Sequence, residues 1–166
     1  MFKVSFKKVV NGKEPIKVET FNKTITKVTL VGTLQLPRYL QNPIEEFVNY
    51  YEGVDVSGAY SKELIITSVG IAKKSENDEW NETVGYRIAE SKAKIKIYKF
   101  MFNLIKKCIR DEQMYITGIS NITHLSKSPV DCLMNSAFKY KHLLASEEKH
   151  LNTLIHGTDT EGTQKP

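Results

Sequence analysis

The chain is short of several things, and each shortage removes a class of function. Of its 166 residues only two are cysteines, Cys108 and Cys132, too few for the disulfide framework of a small secreted domain. They form no Cys-x-x-Cys pair. His142, His150 and His156 are spaced so that no two imidazoles share a helical face three or four residues apart. The carboxylates Glu76, Asp78, Glu79 and Glu82 lack the central glycine and ligand spacing of a calcium loop. No metal and no cofactor is expected. The chain also lacks a phosphate-binding glycine loop, a Gly-x-Ser-x-Gly elbow and a His-Glu-x-x-His pair. An enzyme is not expected. No apolar run approaches the roughly 18 to 20 residues that span a bilayer, and the opening MFKVSFKKVV alternates lysine with apolar residues instead of forming a secretory core. No membrane is expected among the partners, and a reducing, cytoplasm-like compartment is the default.

What is present reads as one domain over residues 1–156, followed by a polar tail, 157–166, without an apolar residue to anchor it. FKVSFKKVV and PIKVETF alternate like strands, and Asn11-Gly12 between them suits a type I′ hairpin turn. In TITKVTLVGTLQL, Val28, Leu30, Leu34 and Leu36 share one face and Lys27, Thr29, Thr33 and Gln35 the other, the mark of a half-buried antiparallel strand. Asn42-Pro43 opens a short helix, IEEFVNYYE, ended by Gly53. GVDVSGAYS reads as a loop, ELIITSVGIA as a strand and QMYITGI as another short strand. Between the last two lies a helix from about Asp78 to Arg110, capped by Asn77 or Asp78, with Trp80 and Val84 expected to anchor its first turn on the sheet. Gly85 and Ala89 suit a close backbone neighbour. A final helix starts at Ser128-Pro129 and stops at Gly157, with Leu133, Ala137, Leu144, Leu151 and Leu154 on one stripe, helped by Phe138 and Tyr140. Strands first and helices after, without βαβ alternation, predict an α+β fold: an antiparallel sheet packed by one long helix and one or two shorter ones.

Charge is concentrated. Residues 85–110 hold eight cations against the single acid Glu90, a net +7, while the remaining 16 Lys/Arg and 18 Asp/Glu give −2. At about 100° per residue, Lys92, Lys96, Lys99, Lys106 and Arg110 fall within about a quarter of the helix circumference. Ile95, Ile97, Tyr98, Met101, Phe102, Leu104, Ile105, Cys108 and Ile109 fill the opposite arc, with Lys94 intruding on a snorkelling stem. Cys108 on that arc is expected to be an inert core thiol. Like charges three and four residues apart cost a few tenths of a kcal/mol per pair. Three readings fit the row: a solvated face, a nucleic-acid contact, or a docking surface for an acidic protein. Lysine on phosphate gives salt-sensitive binding that is nearly blind to base sequence, over about four to five phosphates here.

Gly70, Ala72, Lys73, Asp78, Trp80, Gly85, Ile88, Ala89, Lys92 and Ala93 make a Gly-x-Ala strand end, an acidic turn with an aromatic, and a Gly-x-x-Ile-Ala-x-x-Lys-Ala helix start. This stretch, 69–99, resembles a module of small uncharacterised bacteriophage proteins. Lys74 and Glu76 stand where that pattern commonly has cysteine and proline. The resemblance implies a viral protein in the virion or the host cytoplasm and says little about activity. The chain is expected to be a virion or assembly component binding other proteins, viral or host, through its sheet edge and the aromatic-rich segment FVNYYE. A soluble host-directed factor that binds nucleic acid or inhibits a host protein is the alternative. The order of strands and lysine helix is shared with double-stranded-RNA-binding domains, but SENDEWNE replaces their basic glycine-rich loop and would repel phosphate.

Overall fold

In a computed structural model, residues 3–6, 14–35, 54–57, 63–76, 79, 81–118 and 129–157 are described, with the side chains of the long helix described through Asp111. The sheet is built around two eleven-residue strands, β3 (Ile25–Gln35) and β5 (Glu63–Lys73), paired antiparallel from Ile25↔Lys73 to Gln35↔Glu63. Their alternation sets the register. Val28, Leu30, Leu34, Leu64, Ile66 and Ala72 point to one face and are buried, whereas Lys27, Thr29, Thr33 and Thr67 point to the other. β4 (Val54–Ser57) lies beyond β5, within the stretch expected to be a loop. Its Val54 and Val56 are buried, so a valine at every second position outweighs the small residues around them.

The other edge of β3 is shared. β1 (Lys3–Ser5) pairs with residues 33–35 and β2 (Ile16–Phe21) with residues 25–30, both antiparallel to β3. The two therefore run in the same direction and do not pair with each other, unlike the expected hairpin; Asn11-Gly12 itself lies outside the described residues. The left-handed turn comes later, between β2 and β3, where Asn22 (φ 48°) and Lys23 (φ 51°) are followed by Thr24 donating to the Phe21 carbonyl at 3.0 Å. Phe6 pins the short β1 by lying across Gly32: a Cβ there would sit 2.7 Å from its ring.

α1 (Glu82–Gly118) is one unbroken helix of 37 residues. It begins at Asn81, whose side-chain oxygen accepts from Val84 N at 3.0 Å. The expected caps Asn77 and Asp78, with Trp80, lie outside the described residues, and Val84 is exposed instead of anchored. α1 also runs through 113–118, where a strand was expected; β-branched Ile116 and Thr117 misled because propensity is a weak prior against helix propagation. The close approach is to Gly70 of β5. A Cβ on Gly70 would collide with the Ala89 carbonyl and lie 2.7 Å from Ala93 N, so this glycine seats the helix on the sheet. Ser68 Oγ adds a hydrogen bond to the Ala93 carbonyl at 3.1 Å. Ile97, Phe100, Met101, Leu104, Ile105 and Cys108 complete the buried side of α1.

α2 (Pro129–His156) ends as expected at Gly157, in the left-handed region at φ 75°. It lies antiparallel to α1, with Ser91 against Glu147 and Tyr98 against Tyr140. Leu133, Ala137, Tyr140, Leu144, Glu147, Leu151 and Leu154 alternate steps of four and three, the spacing of a straight seam between two helices. Tyr140 also accepts from Val4 N at 3.2 Å, tying α2 to β1. The segment 42–52, read as a short helix, and the tail from 158 lie outside the described residues. The fold is α+β: among the described residues, an antiparallel five-stranded sheet and two helices.

Candidate anion-binding face of the long helix

Because α1 is unbroken, Lys92, Lys96, Lys99, Lys106 and Arg110 stand on one ridge. The ridge has two flanks, β5 on one side and α2 on the other, and these flanks divide four of the five cations, with Lys99 between them.

Lys92 and Lys96 bend to the sheet. Lys92 Nζ donates to the Ile71 carbonyl at 3.1 Å and Lys96 Nζ to the Val69 carbonyl at 2.7 Å. The reason lies in β4, which pairs with β5 only over Ile65–Ser68. Among the described residues no strand covers 69–73 on that side, so backbone acceptors remain there, and an ammonium satisfies each. α1 and β5 run in opposite directions, as the pairs 92 with 71 and 96 with 69 record. One turn further along, the β5 segment already has β4 as its partner. Lys99, Lys106 and Arg110 are exposed.

On the α2 flank, Lys106 and Arg110 overlook a groove of about 390 Å³. Its floor is Phe102 and Ile109 from α1 with Met134, Ala137 and Phe138 from α2, and Lys141 stands on the α2 rim. Lys106 Nζ lies 5.5 Å from the Phe102 ring centroid, a cation–π distance. Sequence reasoning missed this groove, because Phe138 was assigned to the apolar stripe. It is 54% exposed. The four-three spacing carries the signal: Ala137 occupies the seam, and Phe138 falls beside it. Cations on both sides of an apolar floor suit a ligand with an apolar centre and anionic flanks.

The opposite end of the helix pair holds a polar cluster. Ser91 Oγ donates to Glu147 at 2.6 Å, and Lys94 pairs with Glu90 at 2.8 Å. Burial, the largest influence, pulls Lys94 down, but the hydrogen bond and charge of Glu90, with Glu147 behind, outweigh it and leave the ammonium above its ordinary value. Burial raises Tyr98, as does Glu147, and burial raises Tyr140 although the Val4 N–H opposes it. Burial and Glu90 together raise Tyr86. The Ser91–Glu147 hydrogen bond and the Tyr98–Tyr140 ring contact cross between the helices and set their register.

Cys108 is buried, Cys132 exposed, and His142, His150 and His156 exposed. Among the described residues no three His, Cys, Asp or Glu side chains gather as a metal site, and no helix is long and apolar enough to cross a membrane. Compared with known protein families, curated proteins and solved structures, the chain matches none.

Proposed function

We propose that this is a non-enzymatic accessory protein of bacteriophage type, a virion or assembly component that holds another protein. In this reading the α1–α2 groove receives an acidic, amphipathic segment of the partner, its apolar residues on Phe102 and Phe138 and its carboxylates on Lys106, Arg110 and Lys141. One observation carries it: the cations left over from the sheet edge flank an apolar floor formed by half-buried Phe102 of α1 and exposed Met134 and Phe138 of α2. Helix-in-groove recognition needs this combination of floor and rim.

Nucleic acid is the competing anion for the same cations. Three phosphates on Lys99, Lys106 and Arg110 would make affinity fall about 40-fold between roughly 50 and 200 mM salt, and Phe138 would matter little to contacts with phosphate alone.

The test places a photo-reactive phenylalanine analogue at position 138 during infection. Cross-linking to an acidic segment of a virion or assembly protein is expected, and its loss in Lys106→Glu/Arg110→Glu/Lys141→Glu. Cross-links to DNA, or cross-links unchanged by the charge reversals, would overturn the reading. Absence of the chain from purified particles and assembly intermediates would overturn its virion placement and favour the soluble host-directed factor.

A further inference from the structure

β2 is an edge strand. It pairs with β3 on one side, and among the described residues no strand pairs with its other side. The direction of its backbone groups follows from the hydrogen bonds. The Pro15 carbonyl accepts from Val31 N of β3, and the carbonyls and amides of 17, 19 and 21 point the same way by strand alternation. Ile16, Val18 and Thr20 therefore turn their N–H and C=O groups outward, along an edge with no partner strand among the described residues.

The side chains of this strand are complementary to themselves. Ile16-Lys17-Val18-Glu19-Thr20 carries a cation and an anion one step either side of Val18. Val18 is 45% exposed and Ile16 37% exposed, on the face of the sheet that carries the helices. Lys17 and Glu19 are on the other face, where they pair with each other at 2.9 Å within the strand and Glu19 also meets Lys27 of β3 at 3.1 Å, so a facing second copy would have to share these ions.

We infer that β2 pairs with β2 of a second copy of this chain, antiparallel about a two-fold axis at Val18, joining two sheets into one. Val18 then exchanges both backbone hydrogen bonds with its own counterpart, and Ile16 does so with the partner's Thr20. Lys17 faces the partner's Glu19 in the intervening non-hydrogen-bonded position, where opposite side chains come closest. The ions form a ladder across the seam: Lys27, Glu19, then the partner's Lys17, and the same in reverse. On the opposite face Val18 meets Val18, and Ile16 covers the partner's Thr20. A shift of register by two residues either way opposes Lys17 to Lys17 or Glu19 to Glu19, so charge selects the register about Val18. A six-residue seam is at the small end of specific interfaces, and association in the micromolar range is expected.

The parent chain should reach dimer mass by light scattering as its concentration rises through that range. Lys17→Glu and Glu19→Lys should each weaken dimerisation about tenfold or more. Mixing the two variants should restore it, because the first supplies two acids and the second two bases at the facing positions. The double exchange Lys17→Glu/Glu19→Lys should also dimerise. Val18→Pro should leave the helical circular-dichroism signal in place, since the lost N–H points away from β3, and should abolish the dimer. A parent that stays monomeric at millimolar concentration overturns the inference. So does a mixture of the two charge variants that associates no better than either alone.

Discussion

The two halves of α1 carry cations on one ridge and put them to different use. From Lys92 to Lys96 each lysine has a partner within the molecule: the Ile71 carbonyl, Glu90 and the Val69 carbonyl. From Lys99 onward Lys106 and Arg110 stand at the rim of a groove whose floor includes exposed Phe138 and Met134. The helix does not cause this difference. It follows from the sheet beneath, where β4 stops opposite Ser68 and leaves backbone acceptors only under the first half. A row of lysines is thus half a structural device against edge pairing and half a surface.

Separating the halves most violently requires Gly70→Ala. The added methyl meets backbone at Ala89 and Ala93, which cannot yield as a side chain can. A loss of about 3 kcal/mol or more is expected, read by urea unfolding. If stability held, the close seat of α1 on β5 would be wrong.

Next comes alkaline pH, which acts on the helix pair. Tyr98 and Lys94 have values raised in the fold, Tyr98 through burial and Glu147, Lys94 through Glu90 despite burial. The folded state holds these protons longer than the unfolded chain. Stability is therefore complete below the ordinary values of 10.0 for tyrosine and 10.5 for lysine, and declines as pH climbs from there through the folded-state values. Circular dichroism against pH should show helix loss beginning near pH 10 and less steep in Tyr98→Phe. Loss beginning well below that range would contradict it.

The two groups of lysines can then be compared directly. Lys92→Gln/Lys96→Gln should cost roughly 0.5–1 kcal/mol, because two charge-assisted hydrogen bonds at exposed carbonyls are weakened. Lys99→Gln/Arg110→Gln should cost nothing measurable and relieve some like-charge repulsion. Equal effects on the urea midpoint would erase the distinction between the halves. The smallest expected change is a gain. Thr26 Oγ1 is fully buried without a hydrogen-bond partner among the described residues, so Thr26→Val should raise stability by about 1 kcal/mol under the first half of α1. A decrease would mean the hydroxyl has a partner after all.

Much of this architecture could be read from the chain, for definite reasons. β3 and β5 alternate over eleven residues, and α2 has proline at its start and glycine just past its end, so periodicity and punctuation agreed there. The ridge of five cations was also legible, because azimuth on a helix follows from spacing alone. What each cation touches was not. That depends on where a four-residue strand ends, and Val54–Ser57 is too short to stand out between glycines. The pairing of β1 and β2 was misread because Asn11-Gly12 is a stronger local turn signal than Asn22-Lys23, although the latter closes the hairpin. Phe138 was misplaced by a single position, which on a helix is about 100°.

The ammonium groups of Lys92 and Lys96 also bear on how far assembly can run. A sheet with two receptive margins can add copies without end and become a fibre. Here one margin is stoppered by short β4 and by two charged side chains, and among the described residues the β2 margin is the one left to accept a neighbour. In the inferred two-fold pairing each copy would occupy the other's β2 margin, and growth would halt at a pair.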